Sequence, residues 1–431
     1  MTPALGCSTT GDAVFKTGFA AGLIALAFIA APAGAATKAI KFGKLVDGSG
    51  KVTENAVVVV TDNRITSVGT GAAPADAEVI DLSAFTGIPG MIDAHTHMTY
   101  GPDPVTRAAR TNATNMVLGQ EGLKMTLESG VTTVRDMNAA DYLDVSMRDL
   151  INTGVWKGPR MYVVGCGLRA QRGRFNAAGT PLGCGEGNGA NEFARAARQQ
   201  IAAGVDWIKI FGSTGSGDDV TQFQTVTYEE MKAAVDIAHA MGKKVGIHSY
   251  GPAGARDAIR AGADSLEHAT DMDDEAIAEM VKRKVYFVPT IDHNRYYFDN
   301  AERFRYPPGA KENLTNFIAR NLETTRKAVK AGAMVVMGSD AIYDMFGQNT
   351  RELGWFVKAG MTPAQALASA TTVAARMMGM EKSIGQVAPG FFADIAAVDG
   401  DPLKDVDVTI NKVRWVMKDG AVVVDKTTSK R

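Results

Sequence analysis

Two histidines two residues apart, His95 and His97, close an apolar stretch that opens at Ile88-Pro89-Gly90. On a strand, residues i and i+2 project to the same side, so both imidazoles can reach one metal ion while Thr96 faces away. The same spacing on a solvated face would carry no chemistry. Position favours the metal: these histidines stand where an apolar strand ends and a long helical pattern begins. The chain holds only six histidines, and His248 and His268 each end a further apolar run. A carboxylate, Asp340, ends another at Gly338-Ser339-Asp340. Lys209 lies alone among apolar neighbours in Trp207-Ile208-Lys209-Ile210-Phe211. A buried ammonium is costly unless it is paired or neutralised. A structural ion pair answers that cost; so does reaction with carbon dioxide to a carbamate, a bidentate anion able to bridge two metals. His239 falls in a helical pattern and reads as half-exposed surface. His293 follows an apolar run in a polar, aromatic segment read as a loop, from which it can touch a substrate.

Eight short apolar runs must position these groups: Gly90–His97, Thr132–Asp136, Met161–Cys166, Trp207–Phe211, Lys244–His248, Ser265–His268, Tyr286–Thr290 and Val335–Asp340. Helical periodicity fills the gaps, as at Tyr228–Met241 and Asp273–Arg283. Strands alternating with helices over residues 86–385 predict a parallel (β/α)8 TIM barrel in the α/β class. Chemistry in that fold sits at the C-terminal ends of strands, which is where four of the six histidines and Asp340 fall. The chain ends read differently. Ala39–Val46, Asn55–Val60 and Ile65–Val68 near the start, and Ala393–Val398, Val413–Lys418 and Ala421–Val424 near the finish, are short β runs split by turns such as Asp47-Gly48-Ser49-Gly50. They predict one small β-sandwich domain built from residues 36–85 and 386–431.

The 431 residues are ample for a barrel with a smaller domain, and 45% apolar with 22% charged residues is ordinary globular composition. A net charge of −1 argues against a nucleic-acid surface. Residues 1–35 read as a secretory signal peptide: Lys16 precedes an apolar run from Gly18 to Ala31, and Ala33-Gly34-Ala35 matches a small-residue cleavage site. The run is short for a membrane span, the alternative being an uncleaved anchor. Cys7 follows Leu5-Gly6 but precedes the apolar run, which argues against a lipid anchor. A periplasmic or secreted protein is expected, with no membrane partner beyond the leader. Export leaves Cys166 and Cys184 together in an oxidising compartment, as a disulfide or as two free thiols.

The His-x-His, the strand-four lysine, the two single histidines and the strand-eight aspartate together resemble the binuclear amidohydrolase superfamily. Gly130-Val131-Thr132-Thr133-Val134-Arg135-Asp136, Ala331-Gly332-Ala333 before Gly338-Ser339-Asp340, and Ile384-Gly385-Gln386-Val387-Ala388-Pro389-Gly390 before Ala393-Asp394-Ile395 extend the resemblance over essentially all of the mature chain. Within the superfamily the chain is similar to the imidazolonepropionase-like group that includes proline dipeptidases, lysine/arginine carboxypeptidases and ochratoxin-type amidases. True imidazolonepropionases lack the bridging lysine and use one metal, which argues against that reaction.

The resemblance implies two zinc ions, with manganese or iron as alternatives: His95, His97 and Asp340 on one, His248 and His268 on the other, and N6-carboxylated Lys209 between them. It implies a metal-bridging hydroxide that attacks an amide carbonyl, with Asp340 passing the proton to the leaving nitrogen. Tyr250, two residues past His248, can hydrogen-bond the carbonyl oxygen or simply pack. Arg135 and Asp136 end strand two and are read as a pair supporting the site. Related sequences often carry a Gly-Gly-His-Gly-like stretch after strand three; here Arg169, Arg172 and Arg174 stand in Leu168–Phe175, able to fork onto a substrate carboxylate or to face solvent. The expected reaction is cleavage of a dipeptide or N-acyl amino acid. A cyclic amide or lactone hydrolase and a non-catalytic metal-binding scaffold are the alternatives. Relatives often form homo-oligomers, and the same is expected here.

Overall fold

The β-branched segments that open the chain pair as strands β1 (Thr37–Val46), β2 (Val52–Thr61), β3 (Arg64–Gly69) and β4 (Glu78–Pro89). The structure, a computed structural model, describes residues 36–100, 111–171, 184–213 and 223–428. The expected leader and Arg172 and Arg174 lie outside the described residues. β1 and β2 run antiparallel from Thr37 opposite Thr61 to Val46 opposite Val52. β1 and β4 run parallel. β4 is a strand the sequence pattern did not announce. Its first half is largely exposed and its last four residues are all buried, so no period-two alternation marks it. It crosses residues 85 and 86 and carries the sheet to Pro89.

One residue later the chain enters the barrel. Its staves are β5 (Met91–Thr96), β6 (Val131–Asp136) and β7 (Arg160–Val163), followed by a short pair, β8 (Arg169–Ala170) and β9 (Glu186–Gly187). They continue with β10 (Trp207–Phe211), β11 (Lys244–Ser249), β12 (Ser265–His268) and β13 (Tyr286–Val288). Neighbouring staves pair in parallel. The ring closes at two irregular seams. Leu168 N donates to Lys209 O (2.7 Å) and Phe211 N to Leu168 O (2.8 Å), joining the chain beyond β7 to β10. Residues 335–341 bridge β13 to β5 through Val336 N to Phe287 O (2.8 Å) and Ala94 N to Met337 O (2.9 Å). The expected eighth strand is therefore present as a bridging stave without a regular ladder.

Helices surround the staves: α1 (Asn112–Glu128), α2 (Leu143–Asn152), α3 (Ala190–Ala202), α4 (Tyr228–Ala240), α5 (Pro252–Ala261), α6 (Asp274–Arg283), α7 (Ile291–Asp299), α8 (Ala310–Lys330) and α9 (Glu352–Lys358). Their starts are chemically marked. Thr227 and Glu230 form a reciprocal capping box on α4, and the Asp273 carboxylate accepts from Ala276 N on α6. Ile92, Ala94, Met137, Val164, Trp207 and Val336 belong to a core cluster inside the staves, so the barrel is filled and its chemistry is confined to the mouth.

The chain then returns through β14 (Ile395–Val398), β15 (Val413–Lys418) and β16 (Ala421–Asp425) to one seven-stranded sheet, ordered β16-β15-β14-β4-β1-β2-β3. Ile65 N donates to Phe391 O (3.0 Å) and Gly390 N to Ile65 O (2.8 Å), tying β3 back to the segment before β14. The sheet thus folds over on itself around Ile40, Phe42, Val58, Ile65, Ile395 and Trp415. Arg160, at the start of β7, joins barrel to sheet by pairing with Asp394 (2.5 Å) and Asp419.

Cys166 and Cys184 form a disulfide, with Cα atoms 5.5 Å apart; Cys166 precedes β8 by three residues and Cys184 precedes β9 by two. The link spans 18 residues, and constraining a loop of that length in the unfolded chain stabilises the fold by about 3 kcal/mol. The double variant C166S/C184S is expected to unfold at lower urea than the wild type. Reductant should move the wild type to the variant's midpoint and leave the variant where it is.

Candidate metal centre

Six side chains converge at the barrel mouth: His95 near the end of β5 and His97 just past it, Lys209 from within β10, His248 near the end of β11, His268 at the end of β12, and Asp340 on the closing stave. Asp340 sits at their centre. Its Oδ1 lies 3.1 Å from His97 Nε2 and 3.6 Å from His95 Nε2. Donor atoms of His95, His268 and Asp340 all fall within 4.8 Å of one another, close enough to hold one cation. The His248 ring stands 4.6 Å from that of His268, which is 4.9 Å from that of His95. Gly338 makes this approach possible, since a Cβ there would meet Val288 and lie 2.8 Å from His95 Cβ.

One nitrogen of several of these rings is already committed. His95 Nδ1 meets Glu267 Oε2 at 2.7 Å, His97 Nδ1 faces Asn138 O at 3.3 Å, and His268 Nδ1 meets Thr290 Oγ1 at 2.6 Å. Such bonds fix the ring and its tautomer and leave Nε2 for a ligand. His95 Nε2, His248 Nε2 and Lys209 Nζ are buried without a hydrogen-bond partner among the described residues. Leaving buried polar atoms unsatisfied costs about 1–3 kcal/mol each. Cations satisfy the two imidazole nitrogens, and histidine–carboxylate donor sets suit zinc. The residues present therefore fit a metal site.

Glu267 is buried behind His95. Its Oε1 accepts from Arg135 Nη2 (2.7 Å) and Ser265 Oγ (2.6 Å), and Arg135 Nε donates to Ala94 O (2.6 Å). Asp93, also buried, accepts from His95 N (3.1 Å), Ser339 N (2.9 Å), Ser339 Oγ (2.5 Å) and Asn349 Nδ2 (2.9 Å). Four bonds on one carboxylate thus lock β5 to the closing stave.

The electrostatics favour ligation. Burial, reinforced by the nearby Lys209 charge, lowers His95 to about 4 and holds His248 well below its ordinary value. Burial, with His248 beside it, also lowers His268. Neutral imidazoles are what a metal needs. Burial pulls Lys209 down to about 8, which raises its share of free amine. For Asp340 burial acts upward, but His293, His95 and His97 outweigh it and hold the carboxyl well below the usual range. Burial likewise opposes ionisation of Glu267, and Arg135 overcomes it.

The amidohydrolase family profile matches residues 86–423. The chain belongs to the amidohydrolase family. It is 29% identical over 399 residues to an ochratoxinase of Aspergillus niger, covering 85% of this chain and 82% of that one. Its fold superposes on a Xaa-Pro dipeptidase with methionine bound in the active site at a TM-score of 0.82 and 29% identity, over 90% of this chain and 99% of the other. A prolidase complexed with N-methylphosphonate-L-proline gives a TM-score of 0.82 at 26% identity, over 90% and 100% of the two chains. With this centre, the protein is a metal-dependent amidohydrolase of TIM-barrel and β-sandwich architecture.

In this amidohydrolase the other expected residues fall as follows. Tyr250 is buried, its ring 4.8 Å from that of His248 and 5.6 Å from that of His268. Arg169 is half-buried, its guanidinium 4.4 Å over the Phe211 ring and Nη2 3.1 Å from Asn138 Oδ1. His293 lies on α7, not on a loop. Its Nδ1 meets Asp340 O at 2.8 Å and its Nε2 stands 3.4 Å from Asp340 Oδ2. Arg135 does not pair with Asp136. Alternating side chains send Arg135 inward to Glu267, while Asp136 accepts from Met98 N. Glu267 and Asp93 were missed, although each is a lone carboxylate in an apolar run, the signal that singled out Lys209.

Replacing Glu267 strands Arg135 as a buried, uncompensated cation, and breaking such a pair costs about 3–5 kcal/mol. E267Q is therefore expected to unfold at much lower urea in its metal-free form at neutral pH. The folded pKa of Glu267 is depressed, so its contribution is full above the unfolded value near 4.5 and is lost as pH falls below it. The gap between wild type and E267Q should narrow in that acid range. A gap independent of pH would mean that packing, not charge, makes the difference.

Proposed function

We propose that the enzyme is a binuclear zinc amidohydrolase that cleaves the amide bond of a dipeptide or N-acyl amino acid. Lys209 Nζ, His95 Nε2 and His248 Nε2 lie buried around Asp340 with no hydrogen-bond partner among the described residues, and that arrangement carries the reading. His95, His97 and Asp340 would hold one cation, His248 and His268 the other, with Lys209 between them as a carbamate. When bound, the two cations supply Lewis acidity and water acidified to near-neutral pKa. Similarity to an ochratoxinase and to two proline-directed dipeptidases supports an amide substrate ending in an amino acid.

The chain's own groups divide the remaining work. Asp340, held ionised at neutral pH, accepts a proton from the attacking water and returns it to the leaving nitrogen. The hydroxyl of Tyr250 is kept protonated by burial and by Asp340, so it can donate to the carbonyl oxygen as negative charge develops there. Arg169, seated on Phe211 beside Lys209, offers a charged fork to the substrate carboxylate. Glu267 and Arg135 keep His95 oriented throughout. We also infer export of the mature chain: the Cys166–Cys184 disulfide suits an oxidising compartment and accords with the leader-like residues 1–35.

Metal content measured beside a panel of dipeptides and N-acyl amino acids tests this reading. Two zinc ions per chain and release of a free amino acid are expected; ring opening without amino-acid release would move the reaction to cyclic amides or lactones. With zinc supplied at saturation, D340N should cut kcat by about 10²–10⁴-fold. Undiminished turnover would remove Asp340 as the proton carrier. R169M should raise KM for carboxylate-bearing substrates about tenfold to a hundredfold and spare the matching amides, as loss of a charge-assisted bond requires.

A further inference from the structure

On the basis of the metal-dependent reading above, we propose that His293 is a positioning residue: it holds Asp340 in the backbone conformation from which its carboxylate faces the histidine cluster. Asp340 has φ +53°, in the left-handed region that L side chains disfavour. Such a conformation persists only where the surroundings over-determine it. Both backbone polar groups of the residue are tied down. Its N–H donates to His95 O at 2.7 Å, and its carbonyl accepts from His293 Nδ1 at 2.8 Å. The other nitrogen of the same ring, Nε2, stands 3.4 Å from Asp340 Oδ2. One imidazole thus bonds the aspartate's main chain and lies against its side chain.

His293 is itself held by elements that take no part in ligation. It is buried on the first turn of α7, with the Tyr297 ring edge-on at 4.6 Å. The Glu352 carboxylate fixes that turn by accepting Ile291 N and Asp292 N, each at 2.8 Å. Asp292 is in turn bonded by Arg295 Nε at 2.9 Å and Trp355 Nε1 at 2.8 Å. The chain of contacts runs from α9 through the start of α7 to Asp340. With both ring nitrogens facing Asp340, His293 is placed to aim the aspartate rather than to touch substrate.

The test compares the wild-type chain with H293A, H293N and H293L, each stripped of metal and titrated with zinc against a competing chelator. Asparagine retains an N–H near the position of imidazole Nδ1, whereas leucine has similar bulk and no donor. H293A and H293L are expected to weaken zinc binding about tenfold to a hundredfold, the usual effect of losing a residue that orients a ligand, and H293N to recover most of that loss. In the zinc-loaded enzymes kcat should follow the same order with KM unchanged. Zinc held by H293A and H293L as tightly as by the wild type would overturn the proposal. So would an asparagine variant as weak as the leucine one, because the donor would then be irrelevant. Should H293A fail to fold by circular dichroism, the H293N–H293L contrast decides alone. A wild type that binds zinc but cleaves no amide would sink the proposed reaction and still leave the zinc contrast to decide the role of His293.

Discussion

A guanidinium buried at the axis of a barrel must be neutralised there, and much of this site follows from how that is done. Arg135 and Glu267 are both wholly inaccessible and meet at 2.7 Å. Desolvating two such charges is expensive, and a buried pair repays that cost only where further hydrogen bonds complete its geometry. Here Ala94 O, Ser265 Oγ and His95 Nδ1 complete it. Three staves, β5, β6 and β12, are consequently registered to one another by a polar contact rather than by apolar packing, which tolerates sliding. The last partner in the set is a histidine whose remaining nitrogen points into the mouth.

The same economy appears in the backbone. His268, Ala269, Thr290 and Asp340 all adopt positive φ, and all lie where a stave gives way to a loop at the mouth. Regular strand geometry would send consecutive side chains to opposite faces. A left-handed residue at the end of a stave breaks that alternation and re-aims a side chain, at a cost the surrounding hydrogen bonds must cover. The Asp93 carboxylate, with its four donors, supplies part of that cover between β5 and the closing stave. Burial raises Asp93 to about 6 against the opposing bonds from Ser339 and Asn349.

Polar residues at the ends of apolar runs were legible in the sequence because nothing about a buried strand explains them. His95, His97, His248, His268, Lys209 and Asp340 all stood out in that way. Glu267 and Asp93 carry the same signal but precede a histidine in the run, and the eye for ligands passes over the residues that orient them. His293 was harder. α7 turns Asp292, His293 and Asn294 inward and buries them, the reverse of an ordinary amphipathic helix, so its polarity reads as loop. β4 escaped for a related reason, being exposed along one half and enclosed along the other. Periodicity detects elements that keep a single environment, and these two do not.

Lys209 shows why such a site is built for something it must acquire. An amine with no hydrogen-bond partner among the described residues, pulled down by burial and close to two imidazole nitrogens in the same condition, is a poor resting arrangement for the folded chain alone. Ligands that bind only the folded state add their binding free energy to its stability. Occupation of this cluster would therefore stabilise the fold as well as equip it for chemistry. The unsatisfied nitrogens of His95 and His248 are gathered beside the Asp340 carboxylate, where a cation would satisfy them, while the outer bonds to Glu267, Thr290 and Asn138 hold the rings in place whether or not it has arrived. Preorganisation of that kind keeps the ordering cost out of the binding step, so that affinity is set by the donors themselves.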